Sequence, residues 1–193
     1  MDIDLQTIDT NLFHKINNDW INVVFDTIMP YIRESIIWVP LYIFLILMGY
    51  YNFGKQGVYW ILAAIVTVII SNHISSDIIK PFYNRSRPCA DSYLNPAANL
   101  LLNRCPSSGS FTSSHATNHF ALAVFFYSTL KQYSSYAKLF FVWAALISYA
   151  QIYVGVHFPL DVVGGALIGC TIGYLFSSIF TLKFGLLQTL TKL

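Results

Sequence analysis

Apolar residues in this chain gather in five blocks, at positions 35–51, 57–71, 119–130, 137–156 and 159–180, with polar segments between them. Counted with its flanks, each block approaches the roughly 20 residues that carry an α-helix across a bilayer core. The pattern predicts an all-α integral membrane protein, a bundle of about five to six transmembrane helices, five of them read directly from these blocks. Ahead of them, Leu5, Ile8, Leu12, Phe13, Ile16, Trp20, Val23, Val24 and Ile28 recur near helical spacing. That spacing predicts one or two amphipathic helices over 1–34, lying on the membrane surface or packed against the bundle. The acidic start has no basic region before an apolar run, so no cleavable signal peptide is expected. With no internal repeat or low-complexity tract, 1–193 reads as a single domain: an amphipathic segment 1–34, a transmembrane bundle 35–182 and, within it, a polar loop 81–114.

Composition sharpens this picture. Only 10% of the 193 residues are charged and 55% are hydrophobic, against about a quarter charged in soluble domains. Lipid rather than water is the expected main solvent, and no nucleic-acid partner is implied. Five crossings sort the loops onto two sides. One side holds Lys55, Lys131, Lys138, Lys183 and Lys192 and no acid; the other holds Lys15, Arg33, Lys80, Arg85, Arg87, Arg104 and all nine acidic residues. Counting Lys and Arg alone nearly ties the two sides. Four basic residues between 80 and 104 have another candidate duty, so the acid-free side is assigned to the cytoplasm.

The crossing order brings three chemically distinct segments to one membrane face. "KPFYNRSRP" (80–88) supplies Lys80, Arg85 and Arg87, whose charges suit phosphate oxygens as well as ordinary anchoring at an interface. "TSSHATNH" (112–119) begins a helix, with Ser113 or Ser114 as N-cap and His115 in the first turn, where free amides favour an anion. His119, one turn deeper, reads as a structural histidine. "QIYVGVHFPLD" (151–161) sets His157 and Asp161 four apart. The carboxylate there either caps the helix or fixes the tautomer of His157, leaving a ring nitrogen free as nucleophile or base. No HExxH, paired CxxC or Asp-rich cluster points to a metal.

Together these segments resemble the type 2 phosphatidic acid phosphatase superfamily, whose motifs are KxxxxxxRP, PSGH and SRxxxxxHxxxD in that order. Lys80, Arg87 and Pro88 match the first motif, and Ser113 and His115 match the second, with Thr112 and Ser114 replacing proline and glycine. His157 and Asp161 match the third, in which Ala150 and Gln151 replace Ser-Arg. The resemblance covers roughly positions 57 to 175. It implies hydrolysis of a phosphate or pyrophosphate from a membrane lipid, without metal or other cofactor, at the outer face of a bacterial inner membrane. It further implies that His157 forms a phosphohistidine oriented by Asp161 and that His115 is the general acid and then base. Lys80, Arg87, Ser113, Ser114 and nearby amides would hold the phosphoryl oxygens. Polyprenyl pyrophosphate, phosphatidylglycerol phosphate, phosphatidic acid and phosphorylated glycolipid all fit as substrates.

A lipid phosphotransferase, a lipid binder that has lost the chemistry, and a vanadium haloperoxidase are the rival readings. Gln151 leaves the site one cation short, and Arg85 and Arg104 are expected to compensate. Cys89 and Cys105 share the outer loop and are expected to pair, while Cys170 reads as a packing residue. The sequence says nothing of oligomeric state.

Overall fold

The computed structural model describes residues 4–94 and 96–185. Expectations touching residues 1–3, Asn95 and 186–193, Lys192 among them, lie outside the described residues. Every regular element among those described is helical.

Helix α1 (Leu5–His14) runs into a π turn at Lys15–Asp19, and α2 (Val23–Ile32) starts at Asn22, whose side chain accepts a hydrogen bond from the Phe25 N–H at 2.9 Å. Asp9, Phe13 and Ile16, spaced to share one helical face, are buried. Phe13, Ile16 and Met29 of α2 pack into a cluster with Ala150, Ile152, Tyr153, Val156 and Phe158. Of the two placements that the amphipathic pattern allows, packing on the bundle is therefore realised. Leu5, Ile8, Leu12, Val23 and Val24 remain exposed.

The first two apolar blocks form α3 (Val39–His73), which breaks at Gly54, where a positive φ of 54° reverses the chain. Glycine adopts this angle without the Cβ clash other residues meet. The second arm continues through a π turn at Ile74–Ile79 and a short α4 (Lys80–Tyr83) into the polar loop. Three further helices follow: α5 (Ser114–Leu130), α6 (Leu139–Tyr153) and α7 (Pro159–Lys183). A Cβ at Gly169 would lie 2.3 Å from the Thr117 carbonyl oxygen, and one at Gly173 2.2 Å from that of Ala121. Small residues four apart on α7 thus let its backbone approach α5 directly, as in many membrane helix pairs. A core of Trp60, Leu122, Phe125, Phe126, Trp143, Ile147 and Phe180 joins α3, α5, α6 and α7, and the Trp60 indole N–H donates to Thr129 Oγ1 at 2.9 Å.

The outer surface is apolar, the inverse of a water-soluble bundle: Phe44, Leu47, Leu62, Ile69, Val142, Leu167 and Leu175 are all exposed. Two helical stretches, Ser35–Ala90 and Pro159–Lys183, are long and apolar enough to cross a membrane. At one end of the bundle, Asn17 ties three segments together. Its side-chain N–H donates to the Asn99 carbonyl at 2.9 Å and the Tyr153 carbonyl at 2.7 Å, while its Oδ1 accepts from the Asn99 N–H at 2.7 Å. The disulfide between Cys89 and Cys105, expected from the sequence, closes the loop at this same end with a Cα–Cα distance of 5.8 Å.

Candidate functional site

His157 lies in the tight turn between α6 and α7, buried with 2% exposure. Pro159 fits the first turn of α7 because it needs no N–H partner there, and Asp161 caps that turn by accepting the Phe158 N–H at 2.8 Å. The same carboxylate faces His157 Nδ1 at 3.5 Å and accepts from the Ser110 hydroxyl. On the other edge of the ring, Arg87 Nη1 stands 3.1 Å from Nε2. A guanidinium can only donate, so Nε2 carries the lone pair and Nδ1 the proton turned to Asp161. Burial, only partly offset by the Asp161 hydrogen bond and helped by the charges of Arg87 and Lys80, pushes the His157 pKa down to about 4. The imidazole is therefore neutral at physiological pH, with an unprotonated nitrogen aimed at a cation.

The cations around it are held by backbone. Arg87 donates to the Ser108 carbonyl at 2.7 Å, to the Ser108 hydroxyl at 3.1 Å and to the Val156 carbonyl at 3.0 Å. Lys80 donates to the Gly109 carbonyl at 3.0 Å. Arg85 does otherwise: Nη1 donates to Asp161 Oδ1 at 2.7 Å and Nη2 to Asp9 Oδ2 at 2.6 Å, with the guanidinium 4.4 Å above the Phe158 ring. Asp9 completes the arrangement by accepting the Leu160 N–H at 2.8 Å. The expectation gave Arg85 the duty of making up for Gln151; the fold gives it carboxylate partners instead of a free fork. Two buried carboxylates engage both of its terminal nitrogens, and its charge balances theirs.

The start of α5 forms the opposite wall. Ser113 is the N-cap, its hydroxyl accepting the Ala116 N–H at 3.4 Å, and its own N–H donates to the Asp161 carbonyl at 3.0 Å. The two positions that depart from the second motif have a common explanation. The Ser75 hydroxyl meets Thr112 Oγ1 at 3.1 Å and Ser114 Oγ at 3.0 Å, and Ser76 meets Ser114 at 2.9 Å. Ser114 therefore bonds the π turn of the preceding helix, and it also lines the cavity that His115 lines. His115 lies within electrostatic reach of His157, Lys80 and Arg33. It also lines an apolar cavity of about 540 Å³ together with Tyr42, Leu45, Trp60, Leu122 and Phe126. His119 is structural, as expected: Nδ1 bonds the His115 carbonyl at 2.7 Å, and the ring lies 4.8 Å from Trp143.

Gln151 is 1% exposed, and neither amide atom has a hydrogen-bond partner among the described residues. Arg104 is exposed in the loop, beside Arg33, Ser107 and Ser108 in a polar cleft. Sequence reasoning missed Ser110, Asp9 and the Ser75–Ser76 pair. Asp9 left a trace, since a carboxylate at i with Phe13 and Ile16 at i+4 and i+7 puts a charge on the face that docks.

With this geometry in place, the likeness to known proteins becomes specific. Residues 57–184 match the family model of the PAP2 superfamily. The chain is 32% identical over 180 residues to a lipid A 4'-phosphatase of Bacteroides thetaiotaomicron, covering 89% of this chain and 76% of that protein. The crystal structure of Aquifex aeolicus LpxE superposes with a TM-score of 0.69 at 28% identity, over 92% of this chain and 99% of the other. The fold is also that of a transmembrane PAP2-type phosphatidylglycerolphosphate phosphatase from Bacillus subtilis, with a TM-score of 0.68 at 20% identity over 93% and 87% of the two chains. A family match running from the second arm of α3 to the end of α7, and spanning His115, His157, Asp161, Lys80, Arg85 and Arg87, places this chain in the PAP2 superfamily.

Proposed function

We propose that this protein is an integral membrane lipid phosphatase that removes a phosphate group through a phosphohistidine at His157. The observation that carries the reading is the neutral, oriented imidazole of His157, with Nδ1 toward Asp161 and Nε2 toward Arg87. Phosphoryl transfer asks mainly for positioning and charge stabilisation. Arg87 and Lys80 supply the charge, and the first-turn amides of α5 add an anion-binding helix end.

In the first step the Nε2 lone pair attacks phosphorus, and the Arg87 guanidinium shifts from that nitrogen onto the phosphoryl oxygens. The bond from phosphorus to the lipid oxygen breaks, and protonated His115 gives its proton to that oxygen; the negative charge of the bound phosphate favours a proton at His115. In the second step His115 takes a proton from water, the resulting hydroxyl bonds to phosphorus, and the P–N bond to His157 breaks. The net products are lipid alcohol and inorganic phosphate. Splitting the displacement in two lowers each barrier, and fixed cations stabilise the charge that develops on the equatorial oxygens.

The apolar cavity beside His115 suits the lipid tail. A phosphorylated glycolipid is the first substrate class to test, supported by the 32% identity with a lipid A 4'-phosphatase. On this reading the chain crosses five times, counting the arms of α3 as two, with the site on the face opposite Lys55, Lys131 and Lys183. The Cys89–Cys105 bond suits an oxidising compartment there, the periplasmic side of a bacterial inner membrane. The test is phosphate release by purified protein from lipid A, polyprenyl pyrophosphate, phosphatidylglycerol phosphate and phosphatidic acid, with and without an acceptor lipid. Release from at least one, without transfer to the acceptor, is expected; no release from any would refute the reading.

A further inference from the structure

The third motif lacks its arginine, and of the cations expected from the sequence to take its place, Arg85 is engaged by two carboxylates and Arg104 is exposed in the cleft that it shares with the more buried Arg33. Another cation reaches the site from a part of the chain outside the family match. Helix α2 lies antiparallel to α6, since Asn22 N–H donates to Tyr153 Oη at 3.1 Å, Met29 clusters with Ala150, and Trp38 packs on Trp143 at 5.9 Å. Arg33, between Met29 and Trp38, therefore falls beside the stretch of α6 that ends at Gln151. His119 contacts Trp143 from the α5 side, so His115, one turn nearer the loop, lies at that same level.

Arg33 is unlike the other cations in its bonding. Its side chain is 14% exposed, and its buried Nε has no hydrogen-bond partner among the described residues. One guanidinium nitrogen stands 3.2 Å from the carboxylate of Glu34, which is itself 54% exposed and so offers a weakly competing partner. Arg33 and Ser108 line one cleft, and Ser108 is the residue that holds Arg87. The charge of Arg33 is felt at both Arg87 and His115. Gln151, in the last turn of α6, carries two unpartnered amide atoms. Buried donors without partners are rare in folded proteins, and here an arginine and a glutamine, on two helices that pack together, both leave them.

We infer that Arg33, delivered by the N-terminal helices, is a phosphate-binding residue of this site and supplies the positive charge absent at Gln151. The inference rests on the phosphatase reading for its ligand. An arriving phosphoryl group would accept hydrogen bonds from the Arg33 fork, with the Gln151 amide as a neutral neighbouring donor, and would displace the exposed Glu34 carboxylate. The N-terminal segment is then part of the substrate site as well as a membrane-facing strap.

The experiment uses the full chain in detergent, with inorganic phosphate as the probe, read both as inhibitor of lipid phosphate hydrolysis and as a stabiliser in thermal melts. Arg33→Met keeps the apolar stem packed and removes the charge, and Arg33→Ala serves as the second variant. Each should weaken phosphate binding and lower kcat/KM about tenfold to a hundredfold, the loss expected for one charge-assisted hydrogen bond. Adding Gln151→Arg to Arg33→Met should recover part of that loss, and Arg104→Ala should stay within about threefold of wild type. Arg33→Met with wild-type phosphate affinity overturns the assignment, as does an equal loss in Arg104→Ala. If phosphate stabilises the wild type but not the Arg33 variants, and no lipid phosphate is hydrolysed, the phosphatase reading fails while the Arg33 site stands.

Discussion

The two halves of the site are built on opposite terms. Around His157, the polar groups of Asp161, Ser110, Arg85, Arg87 and Asp9 are buried or half-buried and partnered within the protein. Elsewhere the chain leaves Gln151 and Arg33 with unpartnered buried atoms, and His115 opens onto an apolar cavity. An unpaired buried polar group costs about 1–3 kcal/mol, so the fold tolerates on one side what it avoids on the other. In the proposed mechanism the satisfied half fixes the nucleophile in one tautomer, and the unsatisfied half is left for the ligand.

Removing the nucleophile tests the satisfied half hardest. His157→Ala should abolish turnover, below any level that substrate addition restores, while the protein still binds phosphate. His115→Ala should lower kcat by about 10²- to 10⁴-fold, the range for a positioned acid or base, and a leaving group that needs no proton should recover most of it. Reducing the Cys89–Cys105 bond should cost about 3 kcal/mol for a loop of this length, seen as a lower melting temperature. Asp9→Asn removes one of the two charges matched by half-buried Arg85 and should destabilise by about 2 kcal/mol, between the surface and fully buried cases, with a smaller effect on kcat than any change on the His115 side.

The smallest effect is on pH. The His157 pKa falls from 6.5 to about 4 on folding, so between those values the unfolded chain binds the additional proton. Stability from this group is complete above about pH 6.5 and is lost as the pH falls toward 4. Melting temperatures across that window should decline less steeply in His157→Ala than in wild type.

Much of the satisfied half was legible in the chain. Lys80, Arg87, His115, His157 and Asp161 stand at fixed spacings, and the apolar blocks marked the helices that converge on one face. The Cys89–Cys105 pairing followed from two cysteines sharing one polar loop. What escaped was long-range. Arg85 is two residues from Arg87 and looks equally free in sequence, yet Asp9, 76 positions away, claims it. Arg33 ends an amphipathic segment whose spacing fits a surface helix as well as a packed one, and only the antiparallel contact of α2 with α6 carries it onto the bundle. The bonds of Ser114 to the hydroxyls of Ser75 and Ser76, presented by a π turn with no sequence signature, were not legible either.

The central claim is that phosphorus passes through His157, and trapping that intermediate tests it most directly. Protein mixed with a ³²P-labelled lipid phosphate, quenched in base within one turnover and digested, should yield a labelled peptide containing His157. The label should be acid-labile, absent from His157→Ala and longer-lived in His115→Ala, where the hydrolytic water lacks its base. Turnover with no label on any residue, together with inhibition by a chelator that added divalent metal reverses, would contradict the account.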